Sequence, residues 1–105
     1  MEMVKLEIFI PCTHLDSLRE ALRLVGAGSL GNYDSCMSYS LVKGCWRPLA
    51  GAKPYDGKIG VLSEGEEYKV EVCCQKSILE QTLEAIKSIH PYETPVINAI
   101  PLISV

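Results

Sequence analysis

The chain has 105 residues, 48% of them hydrophobic, and a formal net charge of -3. That length and apolar content describe one domain able to bury a single core without metal or disulfide support, and leave no room for two. No apolar stretch approaches the roughly 18 residues of a membrane span. The scattered lysines and arginines offer no basic face for nucleic acid, so neither nucleic acid nor membrane is an expected partner.

Residues Met3 to Ile10 alternate, with Val4, Leu6, Ile8 and Ile10 on one face and Lys5, Glu7 and Phe9 on the other. This is the period of a half-buried strand, and Pro11 ends it. Thr13 followed by Asp16 resembles a capping arrangement before a helix whose apolar face carries Leu15, Leu18, Leu22 and Val25. Gly26-Ala27-Gly28 stops that helix, because glycine takes the left-handed conformation of a C-cap without strain. A second strand is predicted from Cys36 to Val42, resuming near Cys45-Trp46. Pro48, Gly51, Pro54, Gly57 and Gly60 then mark a long loop, and loops of that length in compact domains are usually functional or disordered. The third strand runs from Glu67 to about Cys74, with Tyr68, Val70, Val72 and Cys74 inward. Ser77 and Glu80 read as a capping box opening a second helix that turns Leu79, Leu83, Ile86 and Ile89 to the core. Thr94 to Ile103 supplies the fourth strand.

The order strand, helix, strand, strand, helix, strand closes most simply as an α+β, ferredoxin-like βαββαβ sandwich: a four-stranded antiparallel sheet with two helices on one face. The other face carries Lys5, Glu7, Lys69 and Glu71, whose charges can pair across neighbouring strands. Water or other subunits must meet it. Cys12, Cys36, Cys45, Cys73 and Cys74 form no C-x-x-C pair and are odd in number, which points to a reducing cytoplasm with the thiols as small buried hydrophobes.

Three motifs invite a chemical reading. Gly26-Ala27-Gly28-Ser29-Leu30-Gly31 fits G-x-G-x-x-G but follows a helix, where a dinucleotide fingerprint must follow a strand. Gly51 to Lys58 is one residue too long for a phosphate loop and contains Pro54, which lacks an amide donor. Glu66 and Glu67 are adjacent, so on a strand they point to opposite faces. No nucleophile has an evident base, and no residue is assigned a catalytic role. His90 beside Glu93, with His14 and Cys36 elsewhere, is a candidate donor set for copper or zinc. The alternative is that His90 ends the second helix as a cation favoured by the helix dipole, with Pro91 forbidding continuation.

His90-Pro91-Tyr92-Glu93-Thr94-Pro95 through Ile100-Pro101-Leu102 resembles the closing segment of CutA-type divalent-ion tolerance proteins. Gly26-Ala27-Gly28, Gly31-Asn32-Tyr33, Cys36, Trp46-Arg47-Pro48, Gly51-Ala52 and Pro54 resemble, in order, the signature of the YqfO-type domain inserted in Nif-three-like proteins, a likeness spanning nearly the whole chain. The resemblance implies a ferredoxin-like fold related to CutA and the PII signalling proteins. It implies homo-oligomers, a trimer before a dimer, built through the open sheet face, with small ligands or a divalent metal ion at clefts between subunits. The two-metal catalytic domain of the Nif-three-like family has no counterpart in these residues, so its hydrolase activity is not carried over. The expected function is therefore a non-enzymatic, ligand-sensing domain. Its cleft is expected between the Gly44 to Gly60 loop, the Asn32 to Cys36 turn and a neighbour's His90 to Glu93 corner. Asn32, Tyr33, Arg47, Tyr92 and Glu93 are the candidate ligand contacts, with Arg47 meeting an anionic group. The alternative is a metal-binding protein using His14, Cys36 and His90. An enzyme assembled between subunits is the weakest reading.

Overall fold

A computed structural model describes residues 2–103 and 105. Strand β1 (Met3–Ile10) leads through a 3-10 turn (Cys12–His14) into helix α1 (Leu15–Val25). Strands β2 (Met37–Trp46) and β3 (Ser63–Gln75) form a long hairpin, followed by a second 3-10 turn (Lys76–Ile78), helix α2 (Leu79–Ile89) and strand β4 (Ile97–Pro101). The sheet is antiparallel throughout in the order β2-β3-β1-β4, with both helices on one face, which is the ferredoxin-like sandwich.

The period-2 pattern of β1 decides the core. Val4, Leu6, Ile8 and Ile10 are buried and pack with Val70, Val72 and Cys74 of β3 beneath Leu15, Leu18, Leu22 and Ile86 of the helices. Pro101 is tolerated because β4 is an edge strand, where a missing N–H breaks no central ladder. On the open face the register places Glu7 directly opposite Glu71. The like charges are relieved diagonally: Lys5 Nζ lies 2.6 Å from Glu71 Oε1, and Lys69 Nζ lies 3.4 Å from Glu7 Oε2. The ammonium of Lys5, hydrogen-bonded to Glu71, holds that carboxyl below its usual range.

Several local expectations change. Neither capping pair forms. Helix α1 starts after His14 and α2 after Ile78, with no side-chain cap at either, because each is entered through a 3-10 turn that already supplies backbone acceptors. Thr13 Oγ1 instead meets His14 Nδ1 at 3.0 Å, and Ser77 Oγ meets Gln75. Strand β2 runs unbroken through Gly44, which pairs with Gly65, and β4 is shorter than its apolar sequence suggested. Of the cysteines only Cys74 is buried, with burial pushing its thiol up, while Cys12, Cys45 and Cys73 are exposed and Cys36 is half-buried. Thr82, fully buried on α2, escapes a hydropathy reading because its hydroxyl is satisfied within the helix, donating to the Ile78 carbonyl at 2.8 Å.

The glycine-rich turn after α1 has a structural cause. Gly26 (φ 88°) closes the helix, and Ala27 N–H returns to Leu22 O at 3.0 Å. Gly28 (φ 80°) then ties the turn to the sheet: its N–H donates to Cys73 O, its carbonyl accepts from Cys36 N–H, and a Cβ there would lie 2.9 Å from Cys36 O. Gly31 (φ 55°) has open space around it. Gly31→Ala should therefore cost only the left-handed penalty, about 1 kcal/mol, whereas Gly28→Ala should cost at least about 2 kcal/mol because backbone must also move. Urea denaturation of the two variants side by side checks this, and equal losses would contradict the pinning role given to Gly28.

Candidate functional site

Strand β3 is longer than β1. Beyond the Ile10↔Tyr68 rung, the rungs from Val42↔Glu67 to Trp46↔Ser63 belong to β2 and β3 alone. This overhang gives the molecule its 46 × 24 × 21 Å extents and a radius of gyration of 14.8 Å, against about 13 Å for a compact chain of this length. A bare two-stranded ribbon is marginal in water, and here the loop of residues 47–62 folds back to cover it.

Three hydrogen bonds hold that loop and the corner beside it. Trp46 Nε1–H donates to Asp56 O at 2.9 Å, with the indole laid against Gly65, where a Cβ would come within 3.2 Å of the ring. Lys53 N–H donates to Glu93 Oε2 at 2.9 Å. Tyr92 O–H donates to Glu67 Oε2 at 2.8 Å, joining the corner after α2 to the overhang. Burial and this carboxylate raise the Tyr92 phenol far above its ordinary range, so it remains a donor at any working pH. Tyr55 sits between His14 (6.2 Å, edge-on) and Tyr92 (5.9 Å), and His90 packs on Tyr92 at 4.7 Å. A row of four rings thus crosses this end of the molecule.

Loop, overhang and corner enclose a cavity of about 570 Å³, within the usual range of small-ligand sites. Arg47, Tyr92 and Glu93 line it together, all from one chain. Trp46, Tyr55 and Asp56, from the Gly44 to Gly60 loop expected at the cleft, also line it, as do Glu66 and Glu67, which were not expected there. Asn32 and Tyr33 do not: they occupy an exposed turn closed by the Leu30↔Tyr33 bridge, after α1. The charge balance is also unexpected, since the lining holds four acidic residues, Glu66 and Glu67 on opposite faces of β3, and one arginine, and Arg47 has no carboxylate within 4.0 Å among the described residues.

The donor set His14, Cys36 and His90 is not assembled. Cys36 adjoins Met37, which pairs with Val72, while His90 meets Phe9, which pairs with Lys69, about 10 Å further along the strand. No group of three or more His, Cys, Asp or Glu side chains positioned to hold a metal occurs among the described residues. Both ring nitrogens of His90 are engaged: Nε2–H donates to Phe9 O at 2.7 Å, and Nδ1 accepts Tyr92 N–H at 3.3 Å. The imidazole is therefore neutral rather than a dipole-stabilised cation, with burial lowering its pKa below the ordinary 6.5.

The sign of the pH dependence follows. A histidine harder to protonate when folded contributes nothing to acid sensitivity above about pH 6.5 and destabilises the fold as pH falls below it. His90→Gln, whose amide can still donate to Phe9 O, should lose less stability than the native chain between about pH 7.5 and 5. Urea midpoints at the two pH values measure this, and identical losses would remove His90 as the cause.

No protein-family model matches the chain. A "GTP cyclohydrolase 1 type 2 homolog" of Halalkalibacterium halodurans is 39% identical over 100 residues, covering 95% of this chain and 27% of that protein. The Bacillus subtilis protein of the same description is 34% identical, over 93% of this chain and 26% of that protein. The chain thus spans about a quarter of the length of the curated relatives it matches. Among solved structures, a Bacillus cereus protein related to NIF3 superposes with a TM-score of 0.84 at 33% identity, over 98% of this chain and 26% of that one. The periplasmic divalent cation tolerance protein CutA of Archaeoglobus fulgidus gives 0.72 at 17% identity over 98% of this chain and 86% of its own. The GlnK-ATP complex of B. subtilis gives 0.67 at 24%, over 96% and 84%. These last two share the fold.

Proposed function

The chain is a YqfO-type domain of the Nif-three-like family on a CutA- and PII-like fold, and from that premise we propose that it acts as a non-enzymatic, homo-oligomeric ligand-sensing module of the cytoplasm. The observation that carries this reading is the cavity closed by the chain's own loop. Contacts that hold the loop, Lys53 to Glu93 and Trp46 to Asp56, lie at the cavity wall, so a ligand entering it would move the loop and change what the surface presents. Arg47, Tyr92 and Glu93 remain the proposed contacts, joined by Trp46, Tyr55 and Glu67.

Assembly is proposed through the open sheet face, as a trimer before a dimer. Its half-buried Lys5, Glu7, Lys69 and Glu71 neutralise one another, which lowers the cost of covering them with a second copy. The divalent-metal reading ranks behind this one, because His90 has no free ring nitrogen and Cys36 lies elsewhere on the sheet. Light scattering on a gel-filtered sample should give a mass well above the 11.6 kDa of one chain. Glu71→Lys, which would place a third cation beside Lys5 and Lys69, should lower that mass while leaving circular dichroism unchanged. A monomer in the native chain at micromolar concentration would remove the assembly claim.

A further inference from the structure

The charge of the cavity lining is one-sided. Its acidic side chains are Asp56, Glu67 and Glu93 against Arg47 alone, with Glu66 turned to the other face of β3, and three aromatic rings, Trp46, Tyr55 and Tyr92, stand among them. Glu67 accepts the Tyr92 hydroxyl and Glu93 accepts the Lys53 amide, which fixes both carboxylates at the cavity wall. A polyanion such as a nucleotide triphosphate would enter against this field with one counter-charge to meet it. The carboxylates also fail to converge: no three acidic, thiol or imidazole groups are positioned to share one metal ion among the described residues. They are spread around about 570 Å³, with apolar and aromatic wall between them. Separated anionic groups joined by aromatic surface complement a chain of methylenes carrying more than one ammonium, with cation–π contacts from the rings.

We propose that the cavity binds a small organic polycation, of the linear aliphatic polyamine class, with Glu67 and Glu93 receiving its ammonium groups and Trp46 and Tyr55 its stem. This deepens the sensing role proposed above and rests on it. Trp46 is the sole tryptophan, and its indole N–H is bonded to the loop, so its emission reports events in this cavity. Spermidine as the probe should change Trp46 fluorescence saturably and raise the melting temperature, with affinity falling as salt rises. Glu67→Gln with Glu93→Gln, in which the glutamines can still accept the Tyr92 hydroxyl and the Lys53 amide, should weaken spermidine about tenfold or more and leave the unliganded melting temperature near the native value.

Two controls separate the possible failures. Equal spermidine affinity in the native chain and the double variant would show general counter-ion attraction and overturn the assignment. ATP altering Trp46 emission in the native chain but not in Arg47→Ala, with spermidine silent, would overturn the polycation class while upholding a sensing cavity. Silence from spermidine, ATP and zinc chloride alike would count against both the ligand class and the sensing role.

Discussion

The cavity end of this molecule depends on one hydrogen bond, from His90 Nε2–H to the carbonyl of Phe9. Strand β4 pairs with β1 only as far as the Ile8↔Ile97 rung, so the Phe9 carbonyl lies beyond the reach of a strand partner. An unpaired buried carbonyl costs about 1–3 kcal/mol, and the histidine side chain supplies the donor that the ladder does not. The Phe9 N–H meets Val96 O at 3.3 Å, so a single residue of the central strand grips both ends of the corner between α2 and β4. With that corner fixed, Tyr92 reaches Glu67 and Glu93 meets the Lys53 amide, and the loop has something rigid to close on. The role needs a neutral imidazole, which is why burial and function agree in keeping the proton off Nδ1.

What was legible in the sequence is what short-range periodicity records. The alternation of β1 and β3 and the apolar faces of α1 and α2 came through because each follows from the pitch of its own element and the one-sided burial that a two-layer fold imposes. The diagonal ion pairs of the open face were foreseeable for the same reason. The site was much less so. Its defining contacts join residues 25, 40 and 81 positions apart, and nothing in the spacing of Glu67, Lys53 or Phe9 announces a partner at that distance. Tyr92 and Glu93 drew notice as polar residues between prolines and Arg47 through the Trp46-Arg47-Pro48 resemblance, and they do meet. Asn32 and Tyr33 drew notice by motif alone, and the helix-ending turn that needs Gly28 carries them to another part of the surface.

The overhanging hairpin explains why a loop of this length is ordered. A twisted ribbon of two strands exposes both faces, and the overhanging part of β2 leaves Lys43 and Cys45 exposed. Folding residues 47–62 back buries Pro48 and part of Trp46, and Gly57 (φ 107°) permits the turn to pass close to the indole, where a Cβ would lie 3.0 Å from Nε1. The cover is incomplete. Leu49, Tyr55, Ile59, Val61 and Leu62 keep half or more of their surface in solvent, so the loop is held by directional hydrogen bonds rather than by burial. Such a segment belongs to the low-stability end of a fold, where small changes in contact energy alter its population most.

The diagonal charges of the open face also bear on how the strands find their alignment. Sliding β3 along β1 by two residues would keep the same side chains facing the helices, yet would bring Lys5 directly opposite Glu71 and Glu7 directly opposite Lys69. Electrostatics alone therefore rewards the wrong pairing. Two features oppose it: Ile10 would then confront Glu66 in place of Tyr68, and Gly28 would lose the Cys73 carbonyl to which its amide is bound. The glycine turn that looked like a nucleotide fingerprint thus acts as an alignment pin, selecting one of two sheet arrangements that charge pairing by itself would rank the other way.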